Sequence, residues 1–329
     1  MDVSELLKRY EAGERDFSGA NLIGANLEKV NLEQINLAGA YLSAVNFSRA
    51  SLKGANLQGA FLHRVDLSYA KINEAVLTAA DLTKANLKGA YLVKSILVGT
   101  KLSGANLAAV NLRLANLHGV NLCGADLRGI NFRSANLEQA NLSWANLNGA
   151  KLSGALLRGA NLNGAKLSQA FLNGVDLNGV DLDGVNLSES KLSGANLSEA
   201  NLTACNLSYA QLRVALLSRA NLHAANLNQA ALNKADLCEA NLSKADLTEA
   251  NLSEADLTGA NLNMASLCDA NLTGTSLRGA YLWGANLNAA ELRGADLRGA
   301  SLRGAYLQVS DWRETLFAGT TMPDGSVRD

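Results

Sequence analysis

The sequence predicts an all-β solenoid, a chain wound into a coil whose sides are each five residues long. Three observations predict it: a large apolar residue in strict five-residue phase, glycine confined to one phase of that period, and a slower modulation of twenty residues. From Phe17 to Phe317, 61 consecutive positions spaced by five are large and apolar, and 55 of them are Leu, so the repeat never slips. Taking the leucine as position i, i−2 is nearly always Ala and i−1 is mostly Asn or Asp. Of 29 glycines, 27 fall at i+2, which marks a backbone requirement, since Gly adopts positive φ without steric cost.

Neither regular element accounts for a period of five. On a helix, at roughly 100° per residue, successive leucines spiral around the axis and make no stripe. On a straight strand, residues five apart point to opposite faces, so every second leucine would meet water. Both conflicts vanish if the chain bends every five residues: i−2 and i face inward, i−1 faces outward, and a corner at i+1 and i+2 restarts the phase. Four such sides close one turn if each bend is near a right angle. The modulation supports four: Gly occupies i+2 at 11 of 16 positions in the register of Gly19 but at 3 of 15 in the register of Lys29. A ten-residue period would not separate those sets.

The repeated A(D/N)LxG word, as in "ADLTEANLSEADLTGANL" at residues 245–262, resembles the pentapeptide-repeat family over about residues 16–321. The resemblance implies a right-handed quadrilateral parallel β-helix with four pentapeptides per coil. About 15 coils at the ~4.8 Å spacing of paired strands would span on the order of 70 Å, with an interior too crowded for a pore. The expected organisation is one elongated domain: an N-terminal capping helix at 1–15, the β-helix at 16–321 and a C-terminal turn and tail at 322–329. In the capping helix, Asp2 and Glu5 form a candidate capping box, Leu6, Leu7 and Tyr10 an apolar stripe, and Gly13 a stop. At the other end Trp312, Phe317 and Met322 replace leucine, and a Pro-Asp-Gly turn signal follows at residues 323–325. These residues are read as hydrophobic caps over open backbone edges, with an end-to-end dimer contact as the alternative.

Composition excludes several function classes. With 29 basic and 30 acidic residues the whole chain has no charge excess to drive nucleic-acid binding. No apolar run approaches the ~18 residues of a spanning helix, and the first residues lack a basic and apolar leader pattern, so a cytoplasmic chain without membrane contact is expected. Cys123, Cys205, Cys238 and Cys268 lack metal-ligand spacing and read as unpaired thiols. His63, His118 and His223 lie at i+1, outside the coil, too far apart for a shared metal. Asp236, Asp246 and Asp256 sit in the phase that elsewhere holds Asn, which reads as a solvated face. The glycines are corners, with no helix N-terminus behind them to hold a phosphate. No cofactor, metal or catalytic residue is expected.

Function is therefore sought among the outward departures from the repeat. One apolar group comprises Tyr91, Val76 and Ile96. A second, aromatic and basic, comprises Tyr281, Trp283 and Tyr306 with Arg278, Arg298 and Arg303, a mixture enriched at interfaces. Stacked charges at Glu199, Arg219 and Glu239, at Lys234 and Glu254, and at Glu74 and Lys94 are expected to form register-dependent ladders. The leading expectation is a non-catalytic scaffold that binds a protein partner through one face or end. The family resemblance implies two alternatives: a DNA-mimicking, topoisomerase-interacting protein like the quinolone-resistance members, or a regulator of differentiation like some cyanobacterial members. The near-neutral charge and the absence of any phase-breaking insertion depart from the first.

Overall fold

Five backbone N–H groups must find partners in every pentapeptide, and the way they do so builds the fold. The computed structural model describes residues 1–309 and 311–329. The pentapeptide 246–250 shows the arrangement. Leu247 and Glu249 donate to the carbonyls of Ser266 and Cys268, at 2.7 and 2.9 Å, and Asp246 donates to the Ala225 carbonyl at 2.9 Å. Ala250 N–H closes a β-turn on the Leu247 carbonyl at 3.0 Å. The fifth amide, Thr248 N–H, is taken by the side chain of Asp246, whose Oδ1 lies 3.0 Å away. A short acceptor at i−1 is the group that reaches the amide two residues on, which is why Asn and Asp dominate there.

The corner residue at i+2 has positive φ from Gly19 to Gly304, whether Gly or not: 57° at Glu249, 66° at Gly259 and 51° at Val214; Val309 is an exception. Positive φ in the third residue of a hydrogen-bonded β-turn is the type II geometry, which Gly fills without strain. Successive side chains at this corner lie one above the next. Arg219 Nε meets Glu239 at 2.8 Å, Lys234 meets Glu254 at 3.3 Å, and the Gln169 and Gln229 amides donate to Glu189 and Glu249 at 3.0 and 2.9 Å. Of the expected charge ladders, Lys234–Glu254 forms and Glu199–Arg219–Glu239 forms only at its Arg219–Glu239 step, whereas no ion pair joins Glu74 to Lys94 or Glu199 to Arg219 among the described residues.

Two compact units make up the chain, Met1–Lys166 and Leu167–Asp329. In the first, parallel bridges join residues twenty apart from Asp16↔Asn36 to Asn146↔Lys166; in the second they run from Phe171↔Lys191 to Ser301↔Thr321. Each unit is thus a parallel β-helix whose i and i−2 side chains are buried, as at Leu147, Ala150, Leu247 and Ala250. Within the first unit, helix α1 (Val3–Glu11) precedes the repeat. Asp2 caps it by accepting the Glu5 N–H at 2.8 Å; the Glu5 carboxylate turns instead toward Arg9, 3.5 Å away, so one half of the expected box is replaced by an i,i+4 pair. Leu6 is fully buried, and the Tyr10 hydroxyl donates to the Glu33 carbonyl at 2.9 Å.

The second unit ends differently from its repeats. Strands β1 (Thr320–Thr321) and β2 (Val327–Arg328) pair antiparallel around the Pro323–Gly325 turn. Phe317 is buried, but Trp312, read from the repeat as a leucine equivalent, is 48% exposed. Its ring meets Phe317 edge-on at 6.1 Å, and the Arg328 guanidinium lies 4.3 Å from Phe317 and 5.9 Å from Trp312. An indole is too large for the leucine slot, and the returning strand gives it an apolar and cationic neighbour outside.

The interior also holds polar groups, all at i−2, and they follow one rule. Ser95, Thr100, Thr275 and Thr320 hydroxyls, and the Cys205 thiol, donate to the i carbonyl 23 residues earlier at 2.7–2.9 Å. Ser190 is the exception: it is fully buried and its Oγ has no partner.

Candidate functional site

With four of five amides committed to backbone and the fifth to the i−1 side chain, an aromatic at i−1 displaces a needed acceptor. At three of the sequence-selected positions the deficit is made good. Where Tyr91, Tyr281 and Tyr306 occupy i−1, the amides of Val93, Trp283 and Gln308 are accepted by Asn73, Asn263 and Asn288, at 3.0, 2.9 and 3.2 Å. Each of these asparagines stands at i+1 one coil earlier, 18 residues before its tyrosine. The signal is legible in the sequence as Asn at i+1 followed 18 residues later by Tyr.

Tyr281, Trp283 and Tyr306 are all more than half exposed. Bridges place Tyr281 between Asn261 and Ser301, so Tyr281, Trp283 and Arg303 belong to one column, while Tyr306, bridged to Asn286, belongs to the next. A methyl group at Gly304 would sit 3.8 Å from Trp283 Nε1, so the indole lies along that corner. The basic part of the group is smaller than the sequence suggested. Arg298 grips Asp296 through Nε and Nη2 at 2.9 and 2.7 Å, and Arg278 Nε approaches the same carboxylate at 4.0 Å. These guanidiniums hold the Asp296 carboxyl below its ordinary range. Identical forks join Asp126 to Arg128 and Asp311 to Arg313, the latter drawing Asp311 down to about 2. In Asp-x-Arg triplets the carboxylate also accepts the Arg amide, so the arginine is anchored locally. Of the three sequence-selected arginines, only Arg303 has no ion pair among the described residues.

In the first unit, Val76 and Ile96 are bridged neighbours, with Ile96 41% exposed, and Tyr91 stands in the adjoining column between Lys71 and Asn111. Sequence reasoning passed over Trp144, which at 72% exposure is a strongly exposed aromatic. Its ring lies flat over Gly164, where a Cβ would come within 2.6 Å. An aromatic at i+2 with Gly twenty residues later is the sequence trace of that contact, repeated by Tyr69 over Gly89. Tyr41 and Phe61, also unremarked, stack with centroids 5.1 Å apart.

Among the described residues no group of three His, Cys, Asp or Glu side chains is placed to hold a metal ion. No helix among them is long and apolar enough to cross a membrane. Cys205 is buried, and burial pushes its thiol up to about 12, far from a nucleophile's range.

A family model described as pentapeptide repeats (8 copies) matches overlapping windows that together cover 16–179 and 181–311. The chain is a pentapeptide-repeat protein. Membership carries the right-handed β-helix solenoid, and pentapeptide-repeat proteins are structural and interaction proteins rather than enzymes; this one is not an enzyme. Among solved structures, it is similar to HetL, a pentapeptide-repeat protein involved in heterocyst differentiation regulation from the cyanobacterium Nostoc sp. strain PCC 7120, at 26% identity over 100% of both chains with a TM-score of 0.27. QnrB1, a plasmid-mediated fluoroquinolone resistance protein, aligns at 18% identity over 59% of this chain and 90% of that one, TM-score 0.40. Rfr23 from the cyanobacterium Cyanothece 51142 aligns at 26% over 48% and 92%, TM-score 0.21. No curated protein matches the pentapeptide-repeat chain.

Proposed function

We propose that this pentapeptide-repeat protein is a non-catalytic scaffold that binds a protein partner through outward side chains of its β-helix, with Tyr281, Trp283 and Tyr306 as the docking face. The observation that carries this reading is that Asn263 and Asn288 accept the Trp283 and Gln308 amides, so that large exposed aromatics, Tyr281 and Tyr306, stand at positions where the repeat would otherwise lose an amide acceptor. Trp and Tyr anchors beside an unpaired arginine, Arg303, are the side chains that dominate interface energetics. The twenty-residue bridging supports four-sided coils of four pentapeptides, about 15 in all. In the same reading α1, through Leu6, Leu7 and Tyr10, covers the first coil, and Trp312, Phe317 and Met322 with β2 cover the last, leaving the sides free for the partner.

The test is affinity capture from the native cell followed by binding measurements with Tyr281→Ala/Trp283→Ala/Tyr306→Ala. Loss of an anchor cluster worth about 2 kcal/mol or more weakens the captured partner at least thirtyfold. A partner held with unchanged affinity removes this face from the proposal.

One observation favours the topoisomerase-interacting alternative. Near-neutrality of the whole hides an uneven distribution: residues 167–329 carry 11 Lys and Arg against 18 Asp and Glu. An acidic surface is what a DNA mimic presents. Purified gyrase that supercoils at the same rate with and without the protein, and with and without a quinolone, excludes it.

A further inference from the structure

The first unit has the opposite balance, 18 Lys and Arg against 12 Asp and Glu, and its cations are not evenly spread. Parallel bridges run Asn31↔Ser51↔Lys71↔Tyr91↔Asn111↔Asn131↔Lys151, defining one column of adjacent coils. That column, with the corner positions that follow each bridge residue, brings Lys53, Lys71, Lys94, Arg113, Arg133 and Lys151 onto one face. Glu33 and Glu74 are its only acids between residues 31 and 154. Five of the six cations are exposed and Lys151 is half-buried, and no ion pair engages any of them among the described residues. This contrasts with Arg128, Arg219 and Lys234, each tied to a carboxylate. Successive coils lie about 4.8 Å apart, so the strip extends for roughly 25 Å.

The strip is not purely electrostatic. Midway along it an open groove of about 380 Å³ is lined by Lys53, Tyr91, Val93, Lys94 and Arg113, with Asn73 and Glu74 on its wall. Tyr91 is 49% exposed, and the Asn73 side chain holds the following amide, so the aromatic is placed on a fixed backbone.

We propose that this strip is a second docking surface, for an extended acidic segment of a protein partner, with the segment's carboxylates along the cation row and an apolar side chain in the groove beside Tyr91. The proposal rests on the scaffold reading but on residues other than the second-unit aromatics. Charge complementarity selects an acidic occupant, because unpaired cations at one-coil intervals gain most from a row of carboxylates. Protein is favoured over nucleic acid by two features. The centre of the strip offers apolar and aromatic contacts of the kind enriched in protein interfaces. Glu33 and Glu74 sit inside the strip, where a peptide can present an uncharged side chain, whereas every unit of a phosphate chain is charged.

The test uses the full-length chain and a fluorescein-labelled twelve-residue probe peptide of alternating Glu and Asp with one central Leu. Anisotropy is read at 50 and 300 mM NaCl. The expected result is saturable binding that weakens with salt, falls at least tenfold in Lys53→Glu/Lys71→Glu/Lys94→Glu/Arg113→Glu, falls severalfold when the central Leu is replaced by Ser, and is unchanged in the off-strip control Arg49→Glu/Arg64→Glu/Lys84→Glu/Lys88→Glu. Thermal melting confirms that both variants are folded; should the strip variant be unfolded, Tyr91→Ser and Arg113→Gln replace it with the same expectation. Equal losses in strip and control variants overturn the proposal, as does tighter binding of a 12-bp DNA duplex than of the peptide. Self-association of the chain that the strip variant abolishes overturns it in favour of a second copy as occupant. Tyr281→Ala/Trp283→Ala/Tyr306→Ala leaves peptide binding intact, which separates failure here from failure of the aromatic face.

Discussion

A single residue in this molecule is judged by whether it leaves a backbone or side-chain polar group without a partner. Ser95 and Ser190 occupy equivalent interior positions, yet the Ser95 hydroxyl reaches the Ile72 carbonyl at 2.7 Å and Ser190 Oγ reaches nothing. An unsatisfied buried hydroxyl costs about 1–3 kcal/mol, whereas a made hydrogen bond contributes about 1 kcal/mol net. Ser190→Ala therefore raises stability by about 1 kcal/mol and Ser95→Ala lowers it by a similar amount; denaturant melts of the two variants check the opposite signs. The sequence shows both as Ser in the Ala phase and gives no means of telling them apart. The difference depends on a carbonyl 23 residues away, and only coordinates place it.

At the scale of the element, the pentapeptide is the unit of stability. A typical unit buries one leucine and one small residue and, where Asn or Asp stands at i−1, satisfies all five amides, so neighbouring units contribute nearly additive terms. Leu237 is fully buried. Leu237→Ala costs about 3 kcal/mol in urea unfolding, because the rigid hydrogen-bonded coil cannot collapse into the cavity. A cost below about 1 kcal/mol would mean the coil relaxes and the interior is less constrained than its bonding implies. Periodicity made this element readable: the five-residue phase, the turn with positive φ and the inward pair were all in the text. The reason for Asn and Asp was not, since a side chain that points outward looks merely solvated until its Oδ1 is seen on the amide two residues on. The same blindness inflated the second-unit basic group, where Arg278 and Arg298 are drawn to Asp296.

For the molecule as a whole, the charge total misleads and its distribution informs. A net charge of −1 conceals a first unit with six excess cations and a second with seven excess acids. Thiols report how such an interior opens. Cys205 is buried, bonded to the Leu182 carbonyl at 2.7 Å, and raised to about 12, while Cys123 and Cys268 are partly accessible. A thiol reagent at neutral pH therefore modifies Cys123 and Cys268 in the native protein and reaches Cys205 only through unfolding of its surroundings. The urea dependence of Cys205 labelling should approach that of unfolding of the second unit; a near-zero slope would show that single coils open locally.

The order of residues alone specifies the path of the chain: where it bends, which side chains go inside, and which residues stand twenty apart as neighbours. Those follow from local sterics and from an apolar period that only a coil can bury. The tertiary structure alone decided which outward groups are already paired and which remain open, separating Arg298 from Lys53, Ser190 from Ser95, and a supported Tyr281 from a merely exposed side chain. These are contacts between coils, set by distances of a few ångströms across about twenty residues of sequence, and a repeat so regular in its inward letters carries no trace of them until its coils are stacked.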